Sequence, residues 1–264
     1  MQTIYSGTHS ILFDDDKDSW TDFGLVPTER PYVVMPPVRE NTIEIPGMNG
    51  VLDLSDVPLG YPTYGVRSGS WTFYVANDVT GLTWDQTYAK LAAYFHGRKR
   101  KCVLTDDRSY YYEGRFSIGN FKADKLCDQI TINYTLDPFK WMIWSTCGNW
   151  LWNPFDLIYG DIDASDFNFA VAEGTTTVRY TQNHIGCVPV VPSFKKFFSG
   201  SSTINFSITN SCNGVTKTIS VSDGDWHSDP TIEFSCPTED DYTDVVITSP
   251  DPDGVRIDFR PGRL

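Results

Sequence analysis

Residues 43–73 read IEIPGMNGVLDLSDVPLGYPTYGVRSGSWTF, and this stretch decides the fold. Ile43 and Ile45 alternate with polar neighbours, and Leu52 and Leu54 resume the alternation after Asn49-Gly50. An Asn-Gly pair between alternating apolar runs is a strong hairpin signal, because both residues tolerate positive φ. Pro46-Gly47 stiffens and then bends the approach. Tyr64-Gly65-Val66-Arg67 leads into a second alternating run, Trp71 to Val75. The stretch is read as a hairpin feeding a sheet, and nothing in it is shaped for catalysis.

Upstream, residues 2–13 read as a strand with a bend at Gly7. Asp14, Asp15, Asp16 and Asp18 follow, and Tyr32 to Met35 reads as a short strand stopped by Pro36-Pro37. The four acids lack the spaced ligands and pivot glycine of a calcium loop, so a solvated turn is expected. Downstream, Thr83-Trp84-Asp85-Gln86 is a capping box. Trp84, Tyr88, Leu91, Ala92 and Phe95 then form one apolar stripe at helical spacing, closed by Gly97. Arg98, Lys99, Arg100 and Lys101 read as a basic turn suited to the helix C-terminal dipole. From Cys102 the period returns to two. Val103-Leu104, Tyr110 to Ile118 and Leu126 to Leu136 read as strands, the last showing Ile130, Ile132 and Tyr134 to one face.

The fold class expected is mainly β. Residues 1–144 form an N-terminal β-barrel or sheet domain with one helix, an α+β arrangement. Residues 145–169 form an aromatic-rich connector. Residues 170–264 form a C-terminal β-sandwich of jelly-roll or galectin-like type. The sandwich rests on short strands at 175–180, 188–191, 193–198, 203–209, 215–221, 231–234, 245–247 and 255–259, separated by Gly, Pro, Asn and Asp turns. Trp150 and Trp152 in the connector and Trp226 in the 209–237 loop are candidates for stacking on sugar rings. For the aromatic-rich connector, packing between domains or subunits is the expected role, and sugar stacking is the alternative to it.

Net charge is -13, with 18 acidic against 14 basic residues up to Lys140 and 16 against 7 beyond it. That balance argues against a nucleic-acid groove and against an anionic membrane surface. No apolar run is long enough to span a bilayer, and MQTIYSGTHS carries no signal-peptide pattern. Six cysteines are spread without any CxxC pair, so reduced thiols are expected and zinc is not. No cofactor is expected, because no phosphate-cradling glycine motif occurs. Asp223, Asp225 and His227 form the best catalytic constellation, yet no GxSxG elbow accompanies it, and the reading is of a polar loop in a protein that is not an enzyme.

Ile45, Pro46, Gly47, Asn49, Gly50, Gly65 and Arg67, in that order, resemble the N-terminal domain of siphophage distal tail proteins, the Dit family. Gly24-Leu25, Arg30-Pro31, the helix, the Asp106-Asp107 turn and the tyrosine-rich strand extend the resemblance over about residues 1–141. The Val188–Pro192 step and the final strand at 255–259 resemble the family's C-terminal sandwich; the 209–237 loop matches nothing in it.

The resemblance implies a virion protein at the distal end of a long non-contractile tail, assembled in the host bacterial cytoplasm. Six copies would close a ring between the tail tube protein and the tail-tip protein, with a receptor-binding protein or cell-surface carbohydrate as further partners. Ile43, Leu54 and Arg98 to Lys101 are the candidate intersubunit contacts. The alternative is a carbohydrate-binding module that attaches to a bacterial surface.

Overall fold

The computed structural model describes residues 9–57, 61–122, 128–147, 167–197 and 202–264. Two compact units divide the chain. The first comprises the chain to Pro58 and from Pro62 to Lys140; the second comprises Trp141–Arg263.

In the first unit the elements are β1 (Ile11–Phe13), β2 (Lys17–Asp18), β3 (Leu25–Pro27), β4 (Thr42–Ile43), β5 (Leu52–Asp53), β6 (Arg67–Val75), α1 (Asn77–Thr80), α2 (Trp84–Phe95), β7 (Arg98–Leu104), β8 (Tyr110–Lys122) and β9 (Gln129–Leu136). Seven strands pair in the order β2-β1-β7-β8-β9-β6-β3, every neighbour antiparallel. Period two selects the inner face: Ile130, Ile132, Tyr134 and Leu136 are buried on β9, and Arg67, Trp71 and Phe73 on β6. The register sets Phe73 opposite Ile130 and Trp71 opposite Ile132.

Helix α2 buries Thr87, Leu91 and Phe95 in this unit's core. The Phe95 ring meets Phe13 edge-on at 4.7 Å and Phe116 at 6.0 Å. Each such side chain contributes about 2 kcal/mol relative to exposure. The helix starts with the expected capping box: the Thr83 N–H donates to Gln86 Oε1 at 3.0 Å, and the Gln86 N–H donates to Thr83 Oγ1 at 3.4 Å. Gly97 follows with φ +73, and its N–H donates to the Phe116 carbonyl.

In the second unit the elements are β10 (Lys140–Met142, starting at the boundary), β11 (Asn168–Val171), β12 (Gly174–Thr181), α3 (Gln182–Ile185), β13 (Ser193–Lys196), β14 (Ile204–Asn210), β15 (Thr216–Val221), β16 (His227–Ser228), β17 (Tyr242–Ser249), β18 (Asp253–Asp258) and β19 (Gly262–Arg263). Two antiparallel four-stranded sheets, β11-β18-β13-β16 and β12-β17-β14-β15, share one core. The core is aromatic: Phe167 stacks on Tyr180 at 5.3 Å, and Phe194 lies 4.7 Å from Phe206. This is a β-sandwich, and the chain as a whole is mainly β.

Several local expectations are corrected. Residues 2–8, with the Gly7 bend, lie outside the described residues. Tyr32 to Met35 is not a strand; with Pro31, Pro36 and Pro37 around it, it is held by side-chain donors instead of a ladder. Asn49-Gly50 is not a two-residue turn, since Thr42 pairs with Asp53 and Ile43 with Leu52, leaving a wider loop over 44–51. Only Gly47 and Gly50 take positive φ within it. Arg98 to Lys101 is not a turn but the start of β7, paired with Gly114 to Phe116 and Glu113 on β8. Residues 188–191 and 231–234 are not full strands; a single bridge joins Val190 to Phe234. Two one-turn helices, α1 and α3, join the one expected.

Candidate functional site

The chemistry of the first unit begins at Arg67, buried to 1% exposure. A buried cation requires full hydrogen bonding to offset its lost hydration. Its Nε donates to the Pro138 carbonyl at 2.8 Å and its Nη1 to the Val34 carbonyl at 2.9 Å. Its guanidinium lies 5.5 Å from the Tyr112 ring centre. Two more core side chains reach the same segment. Trp71 Nε1 donates to the Tyr32 carbonyl at 2.8 Å, and the Tyr134 hydroxyl accepts from the Val34 N–H at 3.3 Å. Residues 32–35 are therefore pinned chiefly by their backbone, with Met35 Sδ also 3.8 Å from Arg67 Nη1, while the side chains of Tyr32 (63% exposed) and Met35 (71%) remain largely exposed.

The pinned segment continues into a ribbon. Val38 bridges Tyr64, the Arg39 N–H donates to the Thr63 carbonyl, and the Gly65 N–H donates to the Pro37 carbonyl at 2.8 Å. A Cβ on Gly65 would come within 3.1 Å of the Pro37 ring. Beyond this base, β4 and β5 form a hairpin whose Ile43, Ile45, Met48, Val51 and Leu52 are all exposed, while Leu54 is half-buried. The alternation in the sequence thus marks no core face. Pro46, Gly47, Asn49 and Gly50 lie in its loop, whereas Gly65 and Arg67 sit at its base.

The basic residues are committed within the chain. Arg100 Nη1 lies 2.6 Å from Asp14 Oδ2 and its guanidinium stacks 4.1 Å over Tyr94. Lys99 pairs with Glu113 at 3.0 Å, and Lys101 lies 4.8 Å over the Tyr111 ring. Arg98 is exposed. Asp14 also accepts from the Tyr94 hydroxyl, and burial together with that carboxylate pushes the phenol's pKa up. The acidic patch is thus bound by Arg100 and Lys17. Among the described residues, no group of three or more His, Cys, Asp or Glu is placed to hold a metal ion.

A second exposed aromatic group escaped the sequence reading. Phe121 is 57% exposed and lies 5.9 Å from Trp84 and 5.6 Å from Tyr88. The shift in pairing register between Ile118 and Phe121 delivers it beyond the start of α2; no simple periodicity encodes that shift.

In the second unit Trp226 is 43% exposed. Trp150 and Trp152 lie outside the described residues. Next to Trp226, His227 Nε2 lies 2.6 Å from Asp223 Oδ1, and that hydrogen bond holds the Asp223 carboxyl below its ordinary pKa. The pair closes an exposed polar loop within four residues, and the Asp225 N–H donates to the Asp223 carboxylate at 3.0 Å.

No family model and no curated protein matches the chain. Among solved structures, the crystal structure of the SPP1 Dit (gp 19.1) protein, described as a paradigm of the hub adsorption apparatus in phages infecting Gram-positive bacteria, has the same fold. The two align over 97% of this chain and 99% of that one, with a TM-score of 0.63 and 16% identity. The fold implied by the resemblance in the sequence is thus the fold found.

Proposed function

We propose that this protein is a hub at the distal end of a phage tail, where copies close into a ring that joins the tail tube to the adsorption apparatus. The carrying observation is that the likeness to the SPP1 hub protein covers 97% of this chain and 99% of that one, so that it takes in both units of this chain rather than one. The exposed apolar ribbon supports it: a fastened, solvent-facing row of Tyr32, Met35, Val38, Ile43 and Leu52 is what a subunit interface requires. Six copies, with Ile43, Leu54 and the Arg98–Lys101 edge at or near the joints, satisfy the reading, and the virion tail is its location. The function is geometric and involves no catalysis.

The test is the mass of the purified protein by light scattering behind a sizing column, with negative-stain images of the same peak. A closed six-membered ring is expected. A strict monomer at high concentration, also in the presence of candidate tail proteins, sinks the hub reading. Exposed Trp226 favours, alongside the hub, a sugar-binding role for the sandwich.

A further inference from the structure

The outward face of the β11-β18-β13-β16 sheet carries a row of recognition chemistry. Pairing sets Arg256 between Asn168 on β11 and Lys195 on β13. Phe194 opposes His227 across β13 and β16, which brings Trp226 beside Lys195, whose Nζ lies 5.7 Å from the indole centre. The Arg256 guanidinium stacks 4.1 Å over the Phe197 ring. Phe197 lies across Gly254, where a Cβ would come within 2.6 Å of the ring, so glycine is what lets the ring lie flat on the sheet. Amide, guanidinium and ammonium thus follow one another across three strands, the indole stands just before the fourth, β16, and a second exposed aromatic lies beside them.

We propose that this face binds a sugar that carries a carboxylate or phosphate, with the ring stacked on Trp226 and the anion between Lys195 and Arg256. Three points carry it, resting on the sugar-binding reading of the sandwich and independent of the ring. First, a flat indole face presents the apolar side of a pyranose with its best partner. Second, a guanidinium already oriented by Phe197 gives up little freedom on gripping an anion in bidentate fashion. Third, only 7 basic residues stand against 16 acidic ones beyond Lys140, so Lys195 and Arg256 side by side are an uncommon pairing of cations here, with Asp258 on the same face of β18. The same acidity disfavours a ligand held by charge alone, such as nucleic acid.

The experiment is calorimetric titration of the full-length protein at about 0.15 M salt with oligogalacturonate and phosphomannan, their neutral counterparts (the methyl ester and mannan), and poly-glutamate. Binding to at least one anionic glycan is expected, at least tenfold weaker to its neutral counterpart and undetectable for poly-glutamate. Trp226→Ala, Lys195→Gln and Arg256→Gln should each weaken it about tenfold with the melting temperature and ring mass unchanged. Equal binding of neutral and anionic glycans overturns the anionic class but leaves the sugar reading standing. Binding to poly-glutamate as tight as to the glycans, or indifference to Trp226→Ala, overturns the site. No binding to any probe overturns both the site and the sugar reading, while the ring is judged separately by mass.

Discussion

Arg67 donates from Nη1 to the Val34 carbonyl oxygen at 2.9 Å, so the first residue of a long core strand fastens an irregular segment more than thirty positions upstream. The contact is a buried cation serving as a rivet. Arg67→Ala removes the donor and leaves the Val34 and Pro138 carbonyls wanting. A loss of about 3 kcal/mol is expected. Urea unfolding with an unchanged slope and a lowered midpoint checks it; Arg67→Lys should not rescue, since an ammonium lacks the fork that spans both carbonyls.

The ribbon is expected to act in assembly and not in folding. Ile43→Asp places a charge on an already exposed side chain and should shift stability by no more than about 0.5 kcal/mol. Light scattering should nevertheless show the ring replaced by monomer. A ring of undiminished mass would remove the β4–β5 hairpin from the interface.

Gly186 has φ +88, and a Cβ there would run into the Gly262 carbonyl, which also accepts from the Cys187 N–H at 3.0 Å. Gly186→Ala is expected to cost about 3 kcal/mol or more, from left-handed strain together with a backbone collision. Gly214→Ala, with φ +65 but open space around it, should cost only about 1 kcal/mol. Thermal melts of the two variants give the comparison.

Asp106 meets His9 Nδ1 and Arg30 Nε, each at 2.8 Å. Burial works to raise its pKa, but the hydrogen bonds and charges of His9 and Arg30 prevail and hold it below the ordinary carboxylate value. A depressed carboxylate stabilises the fold above its unfolded pKa of about 3.9 and ceases to do so as pH falls through the lower folded value. Asp106→Asn should therefore be less stable than the parent at pH 7, with the gap closing below about pH 4. A stability–pH profile of both proteins checks the sign.

Thiol reactivity should follow burial. Cys212 is exposed, Cys102 and Cys236 are buried, and burial pushes the Cys236 thiol up to about 12. Only thiolates react, so among the described cysteines Cys212 should be labelled first and Cys102 and Cys236 only on unfolding. Mass mapping of the labelled peptides locates each event; early labelling of Cys236 would contradict the packing.

The long elements were legible because their signals are local. The Thr83–Gln86 box, the 130/132/134 alternation and the Pro- and Gly-punctuated strands of the sandwich each state their own conformation. What the sequence left hidden depended on partners far along the chain. The alternation around Ile43 announces a hairpin but not that neither face is covered. Tyr32 to Met35 has strand composition, yet its hydrogen-bonding groups are claimed by Arg67, Trp71 and Tyr134, all distant. Arg98 to Lys101 looked like a solvated turn because four charges in a row rarely pair in a strand. Here Asp14, Glu113 and Tyr111 supply a counterpart to three of the four. The Lys195, Arg256 and Phe197 face was invisible because its members converge only through the β13–β18 register.

Arg67 Nη1 and Trp71 Nε1 hold Val34 and Tyr32 by their main-chain carbonyls, groups common to all amino acids, whereas Arg67 also reaches the Met35 sulfur at 3.8 Å. The outward side chain at 32 is therefore not constrained by the fastening, while that at 35 contributes to it. Position 32 can thus change its side chain while the chain's path stays fixed by the main-chain contact.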